Sequence, residues 1–122
     1  MAHPDTVVNI SEKCATIDQL WSPKIIAEAN GWHVKLVKSA GEFVWHTHEE
    51  TDEIFVVISG ELVVGLRDGQ VRLGPGDIFV VPKGVEHRPD AGSGCEMMLL
   101  EPAGVPNTGD VVDRLSAVDQ WI

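Results

Sequence analysis

The sequence predicts an all-β domain made of short antiparallel strands. Twelve glycines and seven prolines separate short runs of Val, Ile and Leu, a spacing typical of strands joined by turns. Two of the separators are hairpin signals: Gly60-Glu61, and the segment RDGQ that begins at Arg67 and contains the Asp-Gly pair of a tight turn. In the middle of the chain no segment keeps a helical period.

Eight segments are predicted to be strands, because each is a short apolar run bounded by turn-forming sequences such as SGE, RDG and GPGD. In chain order they cover residues 24–28, 32–38, 42–48, 53–59, 61–67, 70–73, 78–81 and 96–101. Residues 16–20 and 113–120 are predicted to form short helices or loops. The N-terminal thirty residues and the C-terminal dozen flank a core of about 32–101, and the lack of an internal repeat predicts one domain over residues 1–122.

Composition restricts the partners of this chain. The formal net charge is −10 at pH 7, which repels nucleic acid and anionic membranes. No apolar run approaches the roughly 18 residues that span a bilayer, and the first residues lack the basic start and apolar block of a signal peptide. We therefore expect a cytoplasmic protein without nucleic-acid or membrane partners. Cys14 and Cys95 form no CxxC pair and are expected to be small buried side chains.

Three histidines and a group of acids have the composition of a metal site. His46 and His48 stand at i and i+2 in a segment with strand character, which puts both imidazoles on one face. His87 follows a turn-forming stretch, and the acidic segment 49–53 comes just after the pair. Imidazole and carboxylate ligands suit divalent transition metals. The alternative is a solvated strand face, since buried imidazoles without partners lose hydrogen bonds.

Two longer motifs carry a family resemblance. The segments GEFVWHTHEETDEIFVVISG (41–60) and GDIFVVPKGVEHRPDA (76–91) resemble the two motifs of the cupin family. The fixed positions of the two motifs are met by His46, His48, Glu53 and Gly60, and by Gly76, Pro82, Gly84 and His87. There are two departures: Gly41 is one residue closer to His46 than usual, and Ala91 stands where Asn is common. Neither departure touches a ligand position.

The resemblance implies a double-stranded β-helix, the jelly-roll-like β-barrel of that family, with short N- and C-terminal arms. It also implies that one divalent metal is bound at the barrel mouth by His46, His48, Glu53 and His87. The metal can be Fe, Mn, Zn, Ni, Co or Cu. Glu53 is out of phase with His48, so both face inward only if residues 49–52 form a hairpin turn. The other acids of that turn are then solvated, unless one of them replaces Glu53 as a ligand.

Side-chain phase predicts the walls of a pocket. Phe55 and Val57 share the face of Glu53, and Val44 shares that of the histidine pair, so these apolar residues are expected to line a cavity. Arg88 either meets an anionic substrate or is an exposed turn residue. Side chains of the opposite phase are expected to point away from the metal, between the sheets or into a dimer contact: Trp45, Ile54, Val56 and Ile58.

The resemblance predicts fold better than function, because one fold hosts many chemistries. We expect a metalloenzyme for a small oxygen-containing organic substrate. A dioxygenase-type oxidoreductase is preferred, since three His and one Glu suit ferrous iron and the predicted cavity is apolar. A metal-dependent isomerase or lyase, and a non-catalytic small-molecule-binding module, are the alternatives. The apolar segments 7–10 and 118–122 predict a homodimer.

Overall fold

The computed structural model describes residues 6–122. Within these residues one short helix precedes nine strands, so the regular structure is nearly all β, as predicted. The elements are α1 (Ile10–Ala15), β1 (Lys24–Ala29), β2 (Trp32–Ser39), β3 (Glu53–Gly60), β4 (Leu62–Leu66), β5 (Gly69–Leu73), β6 (Ile78–Val81), β7 (His87–Asp90), β8 (Cys95–Pro102) and β9 (Gln120–Trp121).

Two sheets form the architecture. The larger has the order β6-β3-β8-β2-β1-β9 and the smaller the order β5-β4-β7. The pairing is antiparallel, except that β9 runs parallel to β1. Several neighbours in the sheets, such as β3 and β8, are far apart in the chain, which is the connectivity of a jelly roll. The predicted jelly-roll-like fold is confirmed.

The main core lies between the sheets and follows the two-residue alternation of strands. Alternate residues of β8 are buried, beginning at Cys95 and ending at Glu101, and Phe55 of β3 lies opposite Leu99. Leu62 and Val64 of β4 close this core from the smaller sheet. Glu53 begins β3 and Glu101 lies near the end of β8, so two carboxyl groups share one end of the apolar interior. A second, smaller cluster lies under α1 and includes Cys14, Ile17, Ile26 and Leu36.

The predicted strand at 42–48 is wrong as a continuous element. Isolated bridges form there, Glu42 with Asp90 and His46 with His87. Between these bridges the segment has three residues, 43–45, where its partner has two, 88–89, so the ladder is interrupted as at a bulge. The partner strand β7 was not predicted, because it contains Pro89, which cannot donate a ladder hydrogen bond and is tolerated at a sheet edge.

The helix lies earlier than the sequence indicates. Residues 16–19 and 113–119 are loops and turns, the second of the two alternatives predicted for these segments, whereas Leu20 forms an isolated bridge with Lys38 and Gln120 begins β9. Helix α1 begins at Ile10, where the Asn9 side chain accepts a hydrogen bond from the Glu12 amide at 2.9 Å, as an N-cap does. In the part of the chain described here, no helix has the length and apolar character needed to cross a membrane.

Candidate metal centre

Four side chains from three parts of the chain converge at one end of the core. His46 and His87 are held together by two main-chain hydrogen bonds, each amide donating to the other residue's carbonyl at 3.0 Å. The carbonyl of His48 accepts from the Gly84 amide at 2.9 Å. Glu53 is the first residue of β3 and lies opposite a residue of β6. Residues 49–52 make the change of direction between His48 and Glu53.

The cluster formed by His46, His48, Glu53 and His87 is compact and buried. One potential ligand atom from each residue lies within 4.8 Å of the others. The exposed fraction is 0% for His87, 2% for His46 and Glu53, and 6% for His48. Burial at this level does not fit a solvated strand face, the alternative interpretation of the histidine pair. The cluster therefore needs internal partners for its polar atoms.

Main-chain carbonyls set the tautomers of two histidines. The Nδ1–H of His46 donates to the carbonyl of Val44, and the Nδ1–H of His87 donates to that of Val85, both at 2.9 Å. A carbonyl oxygen only accepts, so in each neutral ring Nε2 carries a lone pair. Metal-binding histidines are commonly oriented by such a second hydrogen bond. Both rings are thus arranged to offer Nε2 as a ligand.

Glu53 faces imidazole nitrogens at close range. Its Oε1 lies 3.3 Å from Nε2 of His87, and its Oε2 lies 3.4 Å from Nε2 of His48. The His87 atom bears a lone pair when the ring is neutral, and the buried Nε2 of His48 has no hydrogen-bond partner. A carboxylate and a lone pair at this distance repel each other unless a proton or a metal ion lies between them. Three imidazoles and one carboxylate therefore form a donor set that can hold a metal ion.

The protonation states also favour metal binding. Burial raises the pKa of Glu53, but when His48 and His87 carry a proton on Nε2 their hydrogen bonds to the carboxylate outweigh this and leave the pKa below its ordinary value. Burial and the neighbouring His87 lower the pKa of His46 to about 4. Near neutral pH the carboxylate is therefore ionised and the His46 ring is neutral, as metal ligands must be.

A buried charge network adjoins the cluster: the Lys35 triad, consisting of Lys35, Glu101 and Asp119. Lys35 is fully buried, and its Nζ donates to Glu101 Oε1 at 2.8 Å and to Asp119 Oδ2. Glu101 and Glu53 lie on adjacent strands, and burial together with the Glu53 charge raises the pKa of Glu101 to about 9. This triad was not predicted from the sequence. Its signal is that Lys35 shares the inward phase of Val37 in β2.

The C-terminal arm, here defined as residues 103–122, packs directly against residues 46–48. Gly109 has φ +57°, and a Cβ there would lie 2.2 Å from the Thr47 carbonyl oxygen. The Asp110 amide donates to that carbonyl at 3.1 Å, and Asp110 Oδ1 accepts from the Thr47 amide at 2.8 Å. From the sequence, this arm was expected only to flank the core. The structure makes it a wall of the site.

A small cavity of about 30 Å³, here termed the inner cavity, adjoins the cluster. His46, Glu53 and Phe55 form part of its wall, and most of the remainder is apolar, including Trp21, Val37, Phe43, Met97 and Leu99. Phe55 thus lies where the side-chain phase places it. Met97 and Leu99, whose phase was not readable from the sequence, face the same interior.

Three other residues expected to line the pocket lie elsewhere, which corrects that expectation. Val57 is two positions further along β3, inside the core, and Val44 packs at the core margin, within the irregular segment 43–45. Arg88 has the opposite phase to His87 in β7. Its guanidinium donates to Glu42 at 3.2 Å and lies 5.3 Å from the Trp45 ring centroid.

Comparison with known proteins links these features to a family. Residues 32–101 match the family model described as "Cupin domain", and this stretch contains the whole cluster. The uncharacterized protein YdbB of Bacillus subtilis (strain 168) is 39% identical over 64 residues, which are 52% of this chain and 57% of YdbB. The match thus spans little more than half the length of that curated relative.

Solved structures extend the match. A cupin-2 domain containing protein from Shewanella frigidimarina is 48% identical, with a TM-score of 0.78, over 79% of this chain and 94% of its own. A protein from Neisseria meningitidis is 34% identical, with a TM-score of 0.74, over 80% and 100% of the two chains. Hydroquinone 1,2-dioxygenase from a Sphingomonas species has the same fold over 92% of this chain and 77% of its own, with a TM-score of 0.69 and 15% identity. The sequence motifs, the jelly-roll topology and these matches together show that the chain belongs to the cupin family.

Proposed function

We propose that His46, His48, Glu53 and His87 bind one divalent transition metal, and that the protein is a metalloenzyme for a small oxygen-containing organic substrate. The observation that carries this proposal is the 3.3 Å contact between Glu53 Oε1 and Nε2 of His87, a nitrogen that offers no proton when the ring is neutral. A divalent ion removes that repulsion. A divalent ion bound by one carboxylate and three neutral imidazoles keeps a net positive charge.

The chemistry follows from the ligand set and its surroundings. A metal held there supplies a Lewis acid for substrate oxygen, or activates dioxygen if it is ferrous iron. The carbonyls of Val44 and Val85 keep two rings in the binding tautomer. Phe43 and Phe55 limit access of water from the core side. Glu101, fixed by Lys35, borders the carboxylate of Glu53.

A dioxygenase-type oxidoreductase is the activity that we prefer. The inner cavity, at about 30 Å³, exceeds the roughly 10–15 Å³ that a water-sized molecule needs and is far below the roughly 300 Å³ of a small organic ligand site. Its mainly apolar wall favours a nonpolar diatomic molecule over water. A dioxygen-sized space beside the ligands His46 and Glu53 supports oxygen chemistry.

Elemental analysis of protein purified without chelator or added metal tests the proposal. We expect about one metal per chain in the wild type and loss of the metal in His48→Ala. The matched control is His33→Ala, since His33 is also buried but pairs with Glu28 at 2.7 Å outside the cluster. Iron with oxygen uptake would support the dioxygenase. No metal, with none taken up on titration, would refute the metal site.

A metal-dependent isomerase or lyase is the second candidate. The observation that favours it is Glu101, a buried carboxyl group next to Glu53 whose raised pKa lets it hold a proton at neutral pH. Proton transfer needs such a group within reach of the substrate. Glu101 is not part of the inner cavity wall, so this candidate ranks below the dioxygenase. Zinc, nickel or manganese in the purified protein would reverse the order.

We also propose a homodimer located in the cytoplasm. Ile54 and Val56 of β3 lie opposite Val80 and Ile78 of the edge strand β6, and the last two are 46% and 65% exposed. This outward apolar face supports contact with a second copy. Cys14 and Cys95 are both buried free thiols, as is usual in a reducing compartment.

A further inference from the structure

A second and larger space lies on the other side of His48. This space, here termed the outer groove, has a volume of about 310 Å³ and is bounded by residues 47–51, 103–106 and 109–110. One wall is the turn that follows the histidine pair, and the other is the C-terminal arm. Its volume is that of a site for a small organic ligand, whereas the inner cavity has about a tenth of it.

His48 connects the outer groove to the candidate metal centre. Its side chain is only 4% exposed and forms part of the groove wall. Its Nε2 belongs to the ligand cluster and has no hydrogen-bond partner. A molecule in the groove therefore lies next to a residue of the metal centre. The inner cavity is too small to offer an organic molecule the same approach.

The charged side chains that line the outer groove are all acidic. Glu49, Glu50 and Asp110 are exposed in its wall, and among the described residues no lysine or arginine lines it. Arg88, the residue expected to meet an anionic substrate, instead pairs with Glu42. Three carboxylates around one groove repel an anion and attract a cation, and the net charge of −10 adds to this field.

We propose that the outer groove binds the organic substrate of the proposed metalloenzyme, and that this substrate is a small amine-bearing cation rather than a phosphate or a carboxylate. The inference rests on the proposed function, since it gives the substrate class of the same site. This arrangement gives separate sites to the two molecules that an oxygenase must bind, the organic substrate and dioxygen. Dioxygen fits the inner cavity, and the organic molecule approaches from the side of His48.

The test uses the full-length protein loaded with Zn²⁺ and three ligands that share one ring: tyramine (cation), phenol (neutral) and 4-hydroxybenzoate (anion). Dissociation constants are taken from amide chemical shifts in NMR titrations, which also locate the site. We expect tyramine to bind about tenfold more tightly than 4-hydroxybenzoate at low salt, with phenol between them. The difference should shrink as ionic strength rises, and the shifts should map to 47–51 and 103–110.

Matched variants separate the local charge from the total charge. Glu49→Gln combined with Glu50→Gln should weaken tyramine binding several-fold and remove most of the preference. Asp18→Asn combined with Asp68→Asn changes the net charge equally at exposed positions outside the groove and should leave the preference in place. Equal effects of the two double variants would overturn the inference.

Three further outcomes would also overturn it: binding of 4-hydroxybenzoate as tight as that of tyramine, shifts that map elsewhere, or no binding of any probe to the loaded protein. Failure to take up Zn²⁺ refutes the proposed function instead. The same titrations on the metal-free protein then still measure the charge preference of the groove, so the two failures are distinguishable.

Discussion

His46 is an imidazole whose protonation is determined mainly by its burial and by its position beside His87. Burial and the neighbouring ring lower its pKa from 6.5 to about 4, so the unfolded chain binds a proton between these values and the folded chain does not. The stability contributed by His46 is therefore complete above pH 6.5 and is lost as the pH falls toward 4.

This pKa shift gives a pH-dependent prediction for the metal-free protein. Between pH 6.5 and 4, the stability difference between wild type and His46→Gln should change by up to about 3 kcal/mol, with the wild type losing more. Urea unfolding at several pH values measures it, and groups common to both proteins cancel in the difference. Parallel stability curves for the two proteins would contradict the assignment of this shift to His46.

Lys35 is the cationic partner of two carboxyl groups inside the protein. In Lys35→Met, Glu101 and Asp119 lose their cationic partner, and we expect a loss of about 3–5 kcal/mol in the free energy of unfolding. Arg72→Met is the control, because Arg72 pairs with Glu61 at the surface, where both side chains are more than half exposed and the expected loss is at most about 1 kcal/mol. Similar urea midpoints for the two variants would mean that the Lys35 triad adds little to stability.

At the scale of elements, the C-terminal arm depends on its contact at Gly109. A Cβ at this position would meet the Thr47 carbonyl at 2.2 Å, whereas a Cβ at Gly104, in the same arm, meets nothing within 4 Å. Both glycines have positive φ, +57° and +86°, so alanine is strained at either place. A direct clash with residues 46–48 occurs at one of them.

We therefore expect Gly109→Ala to detach the arm and Gly104→Ala to leave it docked. Limited proteolysis should cut the arm much faster in Gly109→Ala, and metal affinity should fall in that variant because His46 Cδ2 is a further close contact, at 3.2 Å. If both variants are cut at the same rate, the contact with Thr47 does not hold the arm.

Some elements of the structure could be predicted from the sequence and others could not. Strands such as β3 and β8 were predicted because each is a short apolar run bounded by turn-forming residues. The break in 42–48 was not, since it depends on the number of residues in the partner segment. The two sequence motifs identified the four cluster residues as candidate ligands. The Lys35 triad and the contact at Gly109 were not predicted. Both depend on the packing of the C-terminal arm against the core, which the sequence does not show.

At the scale of the whole molecule, the exposed face of β3 and β6 predicts self-association. Val80→Lys places a charge in the centre of this face and should convert a dimer into a monomer, measured by light scattering after size-exclusion chromatography. Val112→Lys is the control, because Val112 is 96% exposed and lies in the C-terminal arm outside the segment 118–122. A wild-type protein that is monomeric at micromolar concentration would refute the homodimer.

The paired main chains of His46 and His87 have a kinetic consequence. They join segments separated by strands β3 to β6, so they form only after a long loop has closed, and contacts of this kind form slowly. In the unfolded chain His87 is far along the sequence from His46, His48 and Glu53, so the complete four-residue site does not exist. An ion present during refolding would then bind after the slow step. The ion would stabilise the native state without increasing the rate of folding.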